Sequence, residues 1–187
     1  MPLPAQLHLT LPIWVLELDT AGRDFSGDAA KVAFAIELSR RNLDMRSGGP
    51  FGAAVFNAHD RLIAIGVNRV LPQSCSLAHA ETMALMLAQQ RLQRARLNED
   101  GGPITLATSS QPCCQCYGAT VWAGIDRLLI GARAVDVMEL TEFDEGPLPA
   151  DWIGELNSRG IEVVRDIERD AARKVLRAYG EGGGERY

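Results

Sequence analysis

The chain has 187 residues, 47% of them hydrophobic and 23% charged, with a net charge of −5. That length fits one domain and buries enough apolar surface to fold without disulfide staples. The acidic balance disfavours a nucleic-acid partner, which calls for a basic patch, and no apolar run approaches the roughly 20 residues that cross a bilayer.

The first six residues, Met1 to Gln6, hold no basic residue and two prolines, unlike a signal peptide, so a cytoplasmic location is expected. Residues 1–24 read as a Pro-punctuated extension whose apolar patch, Ile13, Trp14, Val15 and Leu16, packs on a domain of residues 25–187. Ser26 is placed to cap a helix over 27–44, where Ala29, Val32, Ala33, Ile36 and Leu43 make an apolar stripe. Ser47-Gly48-Gly49-Pro50 breaks it. Two apolar runs, Phe51–Asn57 and Arg61–Val67, flank Ala58-His59-Asp60 and predict an antiparallel hairpin.

Ser76 is placed to cap a second helix over 78–93. A strand over 104–107 follows Gly101-Gly102-Pro103, and Pro112 opens a helix running to Ala123. Further on come a strand at 128–130, helices near 134–140 and 150–158, and a strand at 161–164. A last helix over 167–179 ends at Gly180, before a Gly-rich tail that runs to Tyr187. A hairpin followed by alternating helices and strands implies a mixed sheet with helices on both faces.

Three of the four cysteines, Cys113, Cys114 and Cys116, lie within four positions; the fourth is Cys75. Such crowding suits metal or redox chemistry better than a disulfide framework. Cys113 and Cys116 are three apart at a helix start, so one turn brings both sulfurs to one face, where the helix terminus favours thiolates. His79, at the start of the preceding helix, can supply a third ligand. Two thiolates and an imidazole suit zinc and leave one corner open for a water, which the metal acidifies. Glu81, two residues past His79, is the natural proton carrier, provided both lie where the helix begins. Two alternatives stay open on these residues: a closed zinc knuckle with Cys114 or Cys75 as fourth ligand, and buried cysteines holding no metal.

H-x-E with P-C-x-x-C is the signature of zinc base deaminases. The chain resembles the cytidine and deoxycytidylate deaminase superfamily. Gly48-Gly49-Pro50-Phe51-Gly52-Ala53, Asn68, Cys116-Tyr117-Gly118-Ala119, Trp122-Ala123-Gly124-Ile125 and Phe143-Asp144-Glu145-Gly146-Pro147 look like the bacterial guanine deaminase branch. The resemblance implies an α/β fold, a three-layer α-β-α sandwich around a five-stranded mixed sheet. It also implies a Zn2+ cofactor, a nucleobase substrate and a homodimer with exchanged C-terminal segments. By position it makes Asn68 a hydrogen-bonding partner of the purine, and Phe51, Trp122 and Phe143 its apolar walls. It makes Glu145 a second acid and Tyr187 a cap over a pocket.

Two positions depart from the pattern. Gln111 stands where an acid usually precedes P-C, and Cys114 stands where a non-cysteine residue is usual. The reaction implied is guanine plus water to xanthine plus ammonia, with triazines such as ammeline as related substrates. The alternatives are an adenosine deaminase acting on transfer RNA, a nucleoside deaminase and a zinc-stabilised binding module. Arg165, Arg169, Arg173 and Arg177 form a possible basic stripe for RNA, but Asp166, Glu168 and Asp170 dilute it.

Overall fold

The run Gly-Ala-Ala-Val-Phe carries no polar side chain, and in the computed structural model it forms β1 (Gly52–Phe56), buried at every residue. The structure describes residues 3, 5–100 and 102–185, so Tyr187 and its expected capping role lie outside the described residues. β1 pairs antiparallel with β2 (Leu62–Val67) on one side and with β3 (Thr105–Ser110) on the other. The sheet continues in parallel through β4 (Arg127–Ala132) to β5 (Glu162–Val164), giving the order β2-β1-β3-β4-β5.

Alternate strand residues point to opposite faces, and the core divides accordingly. Ala54, Phe56, Ala107 and Leu129 pack under α1 (Asp28–Asp44), α5 (Ala134–Thr141) and α7 (Arg169–Glu181). Ala53, Val55, Leu106 and Leu128 pack under α3 (Ala80–Leu92), α4 (Cys114–Ala123) and α6 (Trp152–Asn157). This is the expected three-layer sandwich with a five-stranded mixed sheet. A further short helix, α2 (Val70–Gln73), leads from β2 toward α3. At Gly66 a Cβ would sit 1.9 Å from the Ala80 carbonyl oxygen, so only glycine lets the start of α3 press this closely onto β2.

Several details differ from the sequence expectation. Ser26 does not cap α1: its hydroxyl binds the Asp24 carboxylate, and Gly27 takes the cap position. The long second helix begins after His79 rather than at Ser76. Gly180 does not end α7, which runs on to Glu181, because the bare glycine backbone packs against the Leu140 carbonyl. In the N-terminal segment Trp14 is buried and Val15 packs on the core, but Ile13 and Leu16 are exposed. Residues Ile13–Glu17 form a 3-10 turn, and its three-fold repeat presents one side inward. No helix among the described residues is long and apolar enough to cross a membrane.

Candidate active site

Two helix starts meet beside the carboxyl end of β3. His79 precedes the first turn of α3 in extended backbone, at φ −70° and ψ 160°, and Glu81 lies within that turn. Cys113 precedes α4 in the same way, at φ −68° and ψ 177°, with Cys116 one turn on. Each motif thus has one residue outside the helix curling back toward one inside it. That solves the two-apart spacing of His79 and Glu81, which a regular helix face would splay.

His79 Nδ1 lies 3.5 Å from Cys113 Sγ and 3.6 Å from Cys116 Sγ. A tetrahedral zinc with ordinary bond lengths separates nitrogen from sulfur by about 3.6 Å. The three ligand atoms lie within 4.8 Å of one another, so the residues fit the ion as they stand. The fourth-ligand alternatives find no support: Cys114 Sγ turns toward Gly146, and Cys75 lines a separate groove.

Glu81, only 8% exposed, shares a cavity with the metal-ligand group. Burial, reinforced by the negative Cys113 sulfur, pushes its carboxyl up to about 7. Glu145, on the loop after α5, lines the same cavity. Burial again leads, followed by Cys113 and Glu81, and its carboxyl rises to about 8. The hydrogen bond from Cys116 holds the Cys113 thiol down at about 4 against its burial, while the same contact and burial push Cys116 up. Burial disfavours the charged form of His79, but the contact with Cys113 together with the nearby Glu81 and Glu145 charges outweighs it, and the net shift is upward. One thiol therefore shares its proton with the other, an arrangement a dication would replace by binding both as thiolates.

Asn68 is 1% exposed and lines the cavity. Its Oδ1 accepts from the backbone N–H of Gly49 at 3.3 Å and of Val70 at 3.2 Å. Phe51 and Phe143 close the apolar side, their ring centroids 5.5 Å apart. Tyr179 of α7 stacks behind Phe143 at 5.6 Å, a support that sequence reading missed although Tyr179 lies on the inward stripe of an amphipathic helix. Gln111 also lines the cavity, with its Oε1 accepting from the Ala134 N–H at 3.3 Å, outside the ligand group.

Cys116 lies behind the cavity in the ligand group, whereas Trp122 is brought neither to the cavity nor to that group. Trp122 is 80% exposed and lines a distinct apolar groove with Leu7, Leu77 and Met86.

Residues 27–132 match the family model of the cytidine and deoxycytidylate deaminase zinc-binding region. The chain belongs to this deaminase family. The matched span holds His79, Glu81, Cys113 and Cys116, and these ligands fit the family's zinc. A probable cytosine deaminase of Schizosaccharomyces pombe is 31% identical over 161 residues, 83% of this chain and 94% of that protein. A solved structure of guanine deaminase from Nitrosomonas europaea is 41% identical, with a TM-score of 0.88, and the match covers 97% of this chain and all of that one. A substituted form of NE0047 bound to 8-azaguanine is 42% identical, with a TM-score of 0.88, covering 95% of this chain and 98% of that one. The match to the Nitrosomonas structure covers nearly the whole chain, more than the span of residues 27–132 in the family model.

Proposed function

We propose that this deaminase hydrolyses guanine to xanthine and ammonia. The observation that carries the reading is one buried cavity in which Asn68 and Glu145 join Glu81 and the zinc ligands. Guanine presents donors and acceptors together, and a selective site needs an amide and a carboxyl group to meet them. The 41% identity to a guanine deaminase over nearly the whole chain supports the same substrate.

His79, Cys113 and Cys116 would hold the zinc, which when bound would supply the Lewis acidity that makes water reactive near neutral pH. Glu81, buried in the cavity, takes a proton from the attacking water as the water oxygen bonds to the amino-bearing carbon and the ring C=N double bond opens. Glu81 passes the proton to a ring nitrogen. It then carries the proton of the newly added hydroxyl to the amino group, the C–N bond breaks, ammonia leaves and the hydroxyl oxygen becomes the xanthine carbonyl. Phe51 and Phe143 hold the ring by its faces and edge and exclude bulk water. Asn68 donates to an acceptor atom of the base, and Glu145 meets its N–H groups.

The reading extends to a cytoplasmic homodimer whose subunits exchange C-terminal segments. The exposed apolar groove with Leu7, Leu77, Met86 and Trp122 supports association between copies. The substrate test is to offer zinc-loaded protein guanine, guanosine, cytosine, adenine, ammeline and an adenosine-containing transfer RNA stem-loop, and to follow product mass. Xanthine as the fastest product supports the proposal. Inosine in the RNA, with guanine untouched, overturns it and moves the same zinc chemistry to a nucleic-acid substrate.

A further inference from the structure

The carboxamide of Asn68 is held in one orientation. Its Oδ1 accepts from two backbone N–H groups, those of Gly49 and Val70. Flipping the amide would set its NH2 against both donors, so the NH2 is left for the cavity. The backbone on either side of this contact is held by a second asparagine, deeper in the protein. Asn42 on α1 is 0% exposed and not among the cavity-lining residues. Its Nδ2 donates to the Gly49 carbonyl at 2.8 Å and to the Asn68 carbonyl at 3.0 Å. Both of its amide hydrogens are therefore spent on the two residues whose relative placement orients Asn68.

Asn42 is itself oriented from outside. Its Oδ1 accepts from the Ser47 hydroxyl at 2.7 Å, and that hydroxyl accepts from the Trp14 indole N–H at 2.9 Å. The Arg69 guanidinium donates to the Ser47 carbonyl and, at 3.1 Å, to the Thr10 carbonyl. A chain of hydrogen bonds thus runs from the N-terminal segment through Trp14, Ser47 and Asn42 to Asn68.

We propose that Asn42 is a positioning residue for base recognition: it fixes the Gly49 and Asn68 backbones so that the Asn68 NH2 faces the substrate. The inference rests on the guanine reading, in which Asn68 donates to the base. A buried polar network of this kind is worth its cost when every member is satisfied, and each polar atom of Asn42 is. Asn42→Asp keeps the shape but replaces the double donor with an oxygen facing two carbonyls. Ser47→Ala removes only the group that orients Asn42, and is the milder second variant should Asn42→Asp fail to fold.

The test is a double-mutant cycle on zinc-loaded protein, reading 8-azaguanine affinity. Asn68→Ala weakens binding by about 30-fold, the loss of one buried donor. Asn42→Asp or Ser47→Ala weakens it by about 10-fold alone and adds nothing in the Asn68→Ala background, because the only route is through Asn68. A merely structural role predicts the same factor in both backgrounds, and that additivity would overturn the proposal. A silent Asn68→Ala would instead show that the guanine reading of Asn68 is wrong, taking the inference with it.

Discussion

The backbone N–H of Cys114 donates to the carbonyl of Glu145 at 3.0 Å. The helix that carries two zinc ligands therefore also holds the loop that carries the second acid. Beside this bond the contact is tight. A Cβ at Gly146 would lie 2.5 Å from Cys114 Sγ, and Gly146 has φ +66°, a conformation that side chains rarely adopt. Gly146→Ala is expected to displace Glu145 and lower kcat/KM for guanine at least about 5-fold, an overpacking effect of about 1–3 kcal/mol. Adding Cys114→Ala removes the sulfur and recovers part of the loss; the left-handed backbone keeps the rest, about 1 kcal/mol. Steady-state kinetics of the two variants check this, and full activity in Gly146→Ala contradicts it.

The loop is anchored at its other end by charge. Asp136 on α5 is 1% exposed and binds Arg169 and Arg173, both on α7, as well as the Arg133 N–H. Burial works against its ionisation, but the Arg169 hydrogen bonds, the Arg133 N–H and the Arg173 charge together outweigh it and hold its carboxyl at about 2. Its contribution is present above the ordinary value of 3.8 and lost as pH falls through about 2. Asp136→Ala strands two arginines and is expected to cost about 3 kcal/mol, lowering Tm by roughly 6–12 °C. Thermal unfolding of the zinc-loaded variant measures it, and an unchanged Tm refutes it.

Metal and fold should be coupled. The three ligands come from two helix starts, so zinc ties α3 to α4 and binds the native state alone. Stripping it with a chelator is expected to lower Tm by about 10 °C, and zinc, unlike magnesium, restores it. Cys113→Ser and His79→Ala should bind well under one zinc per chain by elemental analysis. Full stoichiometry in either would mean that the ligands are assigned wrongly.

The metal centre was legible from spacing because its geometry is local: each pair of residues flanks one helix start, and two short motifs specify it. The strands and long helices were legible from periodicity. What escaped depends on tertiary contact. Helix α4 is apolar nearly all round, so its sequence does not say that Trp122 faces outward. The four residues of α2, with Pro72 among them, are too few for a periodic pattern. Asn42 and the Cys114–Gly146 contact join segments 26 and 32 positions apart in the chain, and nothing local marks them. Gly180 read as a helix stop, yet it serves close packing on α5.

The two acids that line the cavity give the metal-free protein a pH signature. Glu145 has an ordinary value of 4.5 and rises, chiefly by burial, to about 8. The folded state holds its proton more tightly, so its contribution is full below 4.5 and fades as pH rises through about 8. Glu145→Gln removes that titration. Between these limits the fall in stability of the zinc-free chain should flatten by at most about 1.4 kcal/mol per pH unit. Urea unfolding across that range tests it; parallel curves for parent and variant would show that the cavity does not hold the Glu145 proton.

The most direct measurement is guanine turnover by zinc-loaded parent and Glu81→Gln proteins, with zinc content determined on the same samples. Glu81 is buried in the cavity but is not a ligand, so the variant should keep its zinc and lose xanthine production by at least about 100-fold, the low end for a general acid–base group. A Glu81→Gln protein that turns guanine over at the parental rate, or a zinc-replete parent that yields no xanthine, would contradict the proposed chemistry.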